Sequence, residues 1–284
     1  MSHQPTILST CDAAYQAVRE FQRAGKRVGL VPTMGALHAG HLSLVEASNR
    51  RCDATIATIF VNPTQFGPQE DLDCYPRTLA EDLTALGTLG VPFVFVPTAE
   101  EMYPADFSTY VEPPAVARPL EGTMRETHFR GVTTVVLKLF HALPADVAFF
   151  GQKDYQQALV IQRMVSDLNV PIAIEVCPIV REPDGLAMSS RNVYLDPEQR
   201  QRALSLSRSL QVADEMARAG ECDAQKIADH MRQHMLSSQV DQVDYAVIAD
   251  PESLQEVSQL NGSAVALVAA RVGNTRLIDN AVIG

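Results

Sequence analysis

A chain of 284 residues has room for one large domain or two unequal ones, so core size sets no limit on the fold. Hydrophobic residues make up 46% and charged residues 20%, with no low-complexity tract, which excludes a disordered or fibrous chain. The net charge of -11, with Lys and Arg scattered, excludes long nucleic acids as natural partners, because affinity for them comes from clustered cations neutralising phosphates. A small anion in a local basic pocket stays compatible with it.

The stretch MSHQPTILSTCDAAYQAVREF has no basic flank followed by a long apolar run, and no run elsewhere approaches the roughly 18 apolar residues of a membrane span. The expectation is a cytoplasmic protein without a membrane partner. Cys11, Cys52, Cys74, Cys177 and Cys222 form an odd, widely spaced set with no CxxC pair, which speaks against a disulfide framework and a zinc site.

In chain order, short β-rich runs alternate with longer amphipathic segments through the first ~180 residues, the pattern of βαβ units. The runs RVGLVPT, ATIATIFV, PFVFVP, DVAFFG and IAIEVCPIV read as strands, and the segments 40–51, 78–90, 131–142 and 155–169 as helices. Most of these strands are continuously apolar rather than alternating, as expected where helices cover both faces of a doubly wound parallel sheet. After Val180 the chain becomes polar and rich in turn formers, then shows helical patterns over 197–220 and 224–238. DYAVIAD, AVALVAARV and TRLIDNAVI follow as strands. The expected fold class is therefore α/β, with residues 1–181 forming the parallel-sheet domain and residues 182–284 a smaller α+β domain. In such sheets ligands bind outside the carboxyl ends of the strands, so motifs there carry most weight.

The first such motif is VPTMGALHAGHLSLVEAS, residues 31–48. Its Gly35 and Gly40 have the spacing of GxxxxGK[ST], but His41 stands in place of the lysine and Leu42 in place of the magnesium-binding hydroxyl. An ordinary P-loop is excluded. A strand end, glycines and a helix start near Gly40 still offer N–H groups and a positive dipole end to an anion. His38 and His41, three apart, fall on one side of the first turn and can donate to phosphate oxygens. From these residues alone, a plain turn with surface histidines and a zinc pair both remain open.

TMGALHAGH resembles the HxGH signature of the nucleotidylyltransferase superfamily, which includes class I aminoacyl-tRNA synthetases. FVNPTQFGPQEDLDCYPRT (60–78), FFGQKDYQQ (149–157) and DGLAMSSRN (184–192) follow in that order. Together the four stretches resemble the pantoate–β-alanine ligase (pantothenate synthetase) family over essentially the whole chain. The resemblance implies a Rossmann-like first domain that binds ATP and pantoate, a smaller C-terminal lid, and a homodimer. It also implies condensation of (R)-pantoate with β-alanine, using ATP and magnesium, through an enzyme-bound pantoyl adenylate with release of pyrophosphate and AMP.

Carried over residue by residue, the resemblance implies that His41, His38 and Lys153 are catalytic. It places ATP against Met34, Gly35, Ala36, Leu37, His38, Ala39, Gly40 and His41. Further ATP contacts fall at Gly151, Gln152, Lys153 and Asp154, at Val180, and at Met188, Ser189, Ser190 and Arg191. Gln65, Gln157 and Asn62 are assigned to pantoate, and Gln65 also to β-alanine. The chemistry suits these types: a lysine ammonium is a point charge for phosphate, serine hydroxyls and a guanidinium can receive departing pyrophosphate, and an amide donates and accepts at once. MSSRN departs from the KMSKS form of the synthetases, since no lysine precedes the methionine and Arg191 replaces the second lysine. Arg125 is an extra anion contact or a solvated loop residue. Glu81 and Asp82 could approach magnesium or form a solvated helix face, and the magnesium ligands stay unassigned.

Three rivals share part of this pattern. A nucleotidylyltransferase shares HxGH without calling for VNPTQFG or the glutamines of KDYQQ. A short aminoacyl-tRNA synthetase relative sits poorly with the acidic charge. A non-catalytic ATP-sensing module would need the phosphate residues but not both substrate glutamines.

Overall fold

The computed structural model describes residues 4–68, 70 and 72–284. Gln69 and Asp71 of the FVNPTQFGPQEDLDCYPRT stretch lie outside the described residues. Two compact units emerge: Met1–Gln152 with Gln156–Pro178, and Lys153–Tyr155 with Ile179–Gly284.

The first unit is built on strands β1 (Thr6–Leu8), β2 (Val28–Thr33), β3 (Ala54–Ile59), β4 (Phe93–Phe95), β5 (Val147–Gly151) and β6 (Ala173–Cys177). They form a sheet in the order β1-β4-β3-β2-β5-β6, and every pairing is parallel. Its helices are α1 (Cys11–Arg23), α2 (Ala39–Arg51), α3 (Leu79–Thr88), α6 (His128–Ala142) and α7 (Tyr155–Asp167), with short turns α4 (Ala99–Met102) and α5 (Glu121–Met124).

Successive residues of a strand face opposite sides of the sheet, so strands that are apolar throughout need cover on both. Leu30, Ile56, Phe95, Ala148 and Phe150 pack into one core with residues of α1, α6 and α7. Their neighbours Val31, Ala57, Val94, Val147 and Phe149 pack into a second core with Leu44 and Val45 of α2 and Leu83 and Leu86 of α3. This is the doubly wound arrangement. Connections run from β2 through β3 to β4 in one direction and from β5 to β6 in the other, so the switch point lies between β2 and β5. Its carboxyl edge is Thr33 and Gly151, where the first and third motifs begin.

Local chemistry explains where the elements depart from the pattern in the sequence. PFVFVP yields only Phe93–Phe95, because the flanking prolines lack the N–H a ladder needs. Strand β1 is three residues long and pairs only with β4 at the sheet edge, too short for periodicity to reveal. Helix α6 starts at His128, three residues before the expected position.

In the second unit, a bridge pairs Arg181 with Ala187 and a 3-10 turn covers Ser190–Tyr194. Helix α8 (Pro197–Arg218) starts with proline in its first turn and a capping box between Asp196 and Gln199. Helix α9 (Ala224–Ser237) follows, then antiparallel strands β7 (Gln242–Ala249), β8 (Ala264–Val272) and β9 (Thr275–Ile283). Leu204, Ile227, Met231, Ala266 and Val268 belong to the core that joins this sheet to its helices. Among the described residues no helix is long and apolar enough to cross a membrane.

Candidate active site

The loop after β2 is held by a buried carboxylate. Asp82 of α3, 3% exposed, accepts the Ala36 N–H at 3.0 Å on one oxygen and the Leu37 N–H at 2.8 Å on the other, and the Thr78 hydroxyl donates to it at 3.2 Å. Gly35 and Ala36 have φ of 83° and 49°, so two successive residues are left-handed and the chain turns sharply into α2. A Cβ at Gly35 would also stand 3.1 Å from the Asp82 carboxylate. Asp82 is thus a buried clamp for the HxGH loop rather than part of a solvated face, while Glu81 is exposed.

His38 is the N-cap of α2. Its Nδ1 accepts the Gly40 N–H at 3.1 Å, and its own N–H points at Nδ1 of His41 at 3.4 Å, a reciprocal capping box built from imidazoles. The rings lie 4.1 Å apart between centroids. An Nδ1 that accepts cannot carry the proton, so the neutral ring places it on Nε2, the atom from which each imidazole can donate to a ligand oxygen. The helix-start amides are used differently from the sequence expectation. The Gly40 N–H goes to His38 Nδ1 and the His41 N–H to His38 O, leaving the ring edges as the more distinctive donors.

The second motif sits on a 3-10 turn, Pro63–Gln65, capped by Asn62. Asn62 is 1% exposed and its amide is saturated. Nδ2 donates to Gln65 Oε1 and Gly131 O, and Oδ1 accepts from Thr64 N–H, the Thr64 hydroxyl and the Tyr103 hydroxyl. Gln65 has its oxygen fixed by Asn62 and its Nε2 aimed at the Met34 thioether at 3.0 Å, a weak acceptor that a substrate oxygen can replace with gain. Helix α6 passes so close that a Cβ at Gly131 would stand 2.4 Å from Thr64 O, so glycine is needed there.

His128, also on α6, bonds Gln65 O through Nδ1 at 2.9 Å. Burial, with a smaller push from the Arg125 charge, lowers its pKa to about 4, so it is neutral at pH 7 and donates from Nδ1. Arg125 is bidentate with Glu70, at 2.8 and 2.7 Å. Burial alone would raise the Glu70 pKa, but the hydrogen bond and charge of Arg125 bring it below the usual carboxylate value. Arg125 is therefore engaged with Glu70, neither a solvated loop residue nor an uncommitted anion contact.

The two glutamines of KDYQQ separate cleanly. Gln156, 4% exposed, donates to Val116 O and Pro119 O and accepts the Glu121 N–H, so it ties down the 116–121 loop. Gln157 is half-buried, and among the described residues no hydrogen bond engages its amide.

In the second unit, Lys153 Nζ lies 3.6 Å from Asp154, a loose pair that leaves the ammonium able to serve a phosphate. The Lys153 carbonyl accepts Nδ2 of Asn280 at 2.9 Å, and the Tyr155 hydroxyl donates to Pro251 O at 3.0 Å. Val180 accepts the Met188 N–H at 3.0 Å, closing a hairpin over 180–188. Its base is pinned by Arg181, bidentate with buried Asp279 at 2.6 and 3.0 Å. Ser189 then caps the Ser190–Tyr194 turn by accepting the Arg191 N–H at 3.3 Å, which leaves its hydroxyl proton free to donate. Asn192 fastens this turn to the hairpin through Glu182 and Ala187 O.

The structure thus gathers Met34, His38, His41, Asn62 and Gln65 around the first two motifs, and Lys153, Val180 and Met188–Arg191 on the segments of the second unit. The supports Asp82, Tyr103, Gly131, His128, Asp279 and Asn280 were not read from the sequence as supports. Their partners lie tens of residues away, and of these residues the sequence singles out only Asp82.

A model of the family described as pantoate-beta-alanine ligase matches residues 6–282. The chain belongs to this family. A pantothenate synthetase of Rhodopirellula baltica is 55% identical over 275 residues, covering 96% of each chain, and pantothenate synthetase 1 of Bradyrhizobium diazoefficiens is 53% identical, covering 94% of each. A solved pantothenate synthetase of Thermus thermophilus superposes with a TM-score of 0.90 at 43% identity, over 97% of this chain and 98% of that one. The ligase of Francisella tularensis, solved with a β,γ ATP compound and β-alanine, gives 0.81 at 32% identity over 98% and 97%. Family, coverage and identity together make this chain an ATP-using ligase that forms pantothenate from pantoate and β-alanine. The nucleotidylyltransferase, synthetase and ATP-sensor readings fall with that result.

Proposed function

We propose that the ligation runs through a pantoyl adenylate, with His38, His41 and Lys153 supplying the charge that adenylation needs. The observation that carries this reading is the imidazole pair at the start of α2. Both Nδ1 atoms accept backbone N–H groups beside the sheet's switch point, so each ring, when neutral, carries its proton on Nε2.

Pantoate's carboxylate is ionised at neutral pH and needs no general base. Its oxygen forms a bond to the α-phosphorus of ATP while the bond from that phosphorus to the bridging oxygen breaks and pyrophosphate leaves. Nothing covalent is asked of the protein, so positioning and neutralisation of phosphate charge carry the rate. His38 and His41 donate to phosphate oxygens, Lys153 adds a positive point charge, and Ser189, Ser190 and Arg191 receive the pyrophosphate. Met34 through Ala39 and Gly40, Gly151, Gln152, Asp154, Val180 and Met188 line the nucleotide. Gln65 and Gln157 bind pantoate, Gln65 also meets β-alanine, and Asn62 acts by fixing the Gln65 amide. In the second step the neutral amine of β-alanine attacks the acyl carbon, the bond to the AMP oxygen breaks, and the nitrogen loses its proton. No acyl-enzyme forms.

Among the described residues no three His, Cys, Asp or Glu side chains group as a metal site, and Asp82 is committed to the HxGH loop. A magnesium ion carried on ATP phosphates and water fits this donor set better than a protein cage, and it would add charge neutralisation there. Residues 1–181 as the ATP and pantoate domain, residues 182–284 as a lid, a cytoplasmic setting and a homodimer complete the proposal.

The test is product analysis with ATP, magnesium and pantoate, following pyrophosphate and AMP separately with and without β-alanine. Bound pantoyl adenylate and pyrophosphate without the amine, then pantothenate and AMP on its addition, are expected. Release of ADP, or a labelled acyl-enzyme trapped by mass spectrometry, would overturn the reading.

A further inference from the structure

We propose that Asn280 is a positioning residue for Lys153, and that the Asp279–Asn280 pair of β9 holds Lys153 and the Ser189–Arg191 segment in register on one strand. The inference rests on the role given to Lys153 above. A lysine ammonium sits on a flexible four-carbon stem, so the phosphate it can reach is decided by where its backbone is held. That backbone is a 3-10 turn, Gln152–Asp154, whose internal hydrogen bonding is poor. The turn is fastened from outside. Asn280, 2% exposed, donates to the Lys153 carbonyl at 2.9 Å, away from competing water.

The neighbouring Asp279, 3% exposed, accepts the Asn280 N–H at 2.8 Å and both guanidinium nitrogens of Arg181. Arg181 Nη1 also donates to Gly185 O across the hairpin that ends in Met188 and Ser189. Successive side chains of a strand point to opposite faces. Asp279, opposite Val268 of the helix-packed core, reaches the hairpin, and Asn280, opposite Leu267, reaches the lysine turn. The lysine turn, 127 residues away along the chain, and Arg181 at the base of the hairpin that leads to Ser189, 98 residues away, are thereby referred to one dipeptide.

The experiment is a double-mutant cycle on the full chain. Asn280→Ala is combined with Lys153→Ala, and affinity for a non-hydrolysable ATP analogue is read by calorimetry alongside kcat and the KM values for ATP and pantoate. Asn280→Thr keeps a similar volume, suits a strand and is too short to reach the Lys153 carbonyl, so it carries the test where the alanine variant does not fold. The expected result is a roughly tenfold loss of ATP affinity in the wild-type background, an unchanged KM for pantoate, and no further loss once Lys153 is alanine. Equal losses in both backgrounds, or a fall in kcat alone in proportion to folded protein, would show Asn280 to be merely structural and overturn the proposal. Calorimetry needs no turnover, so failure of the adenylate reading would be seen separately, as absence of pyrophosphate from the wild-type chain.

Discussion

The HxGH loop and the lysine turn serve the same proposed ligand but are held by different means. The imidazoles at the start of α2 are fixed by partners two and three residues away, with one buried carboxylate, Asp82, clamping the backbone before them. The turn at Lys153 and the hairpin before Ser189 depend on Asn280 and Asp279, near the end of the chain. A self-supported motif loses function when its own residues change. A motif supported from afar also loses it when a distant strand does, so substitutions in β9 and in the first turn of α2 should differ in kind.

The largest effect sharpens the shared part of that comparison. His41→Ala or Lys153→Ala should lower turnover at least about 100-fold, roughly 3 kcal/mol of transition-state stabilisation, with the fold intact and only the small stability cost in His41→Ala of losing half of the capping box. Near wild-type rates in either variant would remove that residue from the chemistry. Asp279→Ala tests the far-supported half. It strips Arg181 of its bidentate partner and should cost about 3 kcal/mol in urea unfolding, the low end for a broken buried pair because Arg181 is partly exposed. A cost below that of an ordinary surface substitution would mean that the hairpin is held some other way.

A pH titration of stability examines the first unit. His128 has its folded pKa depressed to about 4 by burial and, to a smaller extent, by Arg125, so between the unfolded value near 6.5 and 4 the unfolded chain binds the extra proton. Stability should therefore fall as pH drops through that window, by at most roughly 3 kcal/mol, with no further loss from this group below it. His128→Gln should flatten the slope, and identical slopes in the two proteins would contradict the assignment. Smallest in rate is Gln65→Ala, which should raise the KM for pantoate about tenfold while leaving that for ATP alone, since the lost contact is a single amide. An unchanged pantoate KM would put the substrate elsewhere.

The doubly wound sheet was legible because its central strands are apolar on both faces, and Leu30 with Val31 or Phe149 with Phe150 duly divide between two cores. Strand β1 escaped notice because three residues carry no period. Motifs were legible as spacing, but spacing is silent on which member of a pair is engaged. Gln156 and Gln157 look alike in KDYQQ, and only the loop carbonyls of Val116 and Pro119 distinguish them. Asp82 stayed open between a magnesium contact and a solvated helix face because the partners that fix it are backbone amides, which leave no trace in side-chain identity. Asp279 and Asn280 read as ordinary strand residues for the same reason: a support is defined by what it touches.

One measurement tests the central claim most directly. Pantoate labelled with a heavy oxygen isotope in its carboxylate is turned over with ATP, magnesium and β-alanine, and the released nucleotide is examined by mass spectrometry. Attack by the carboxylate on the α-phosphorus predicts one labelled oxygen in AMP and none in pyrophosphate. Label in inorganic phosphate with ADP as the nucleotide, or AMP without label, would contradict the adenylate and the roles given to His38, His41 and Lys153.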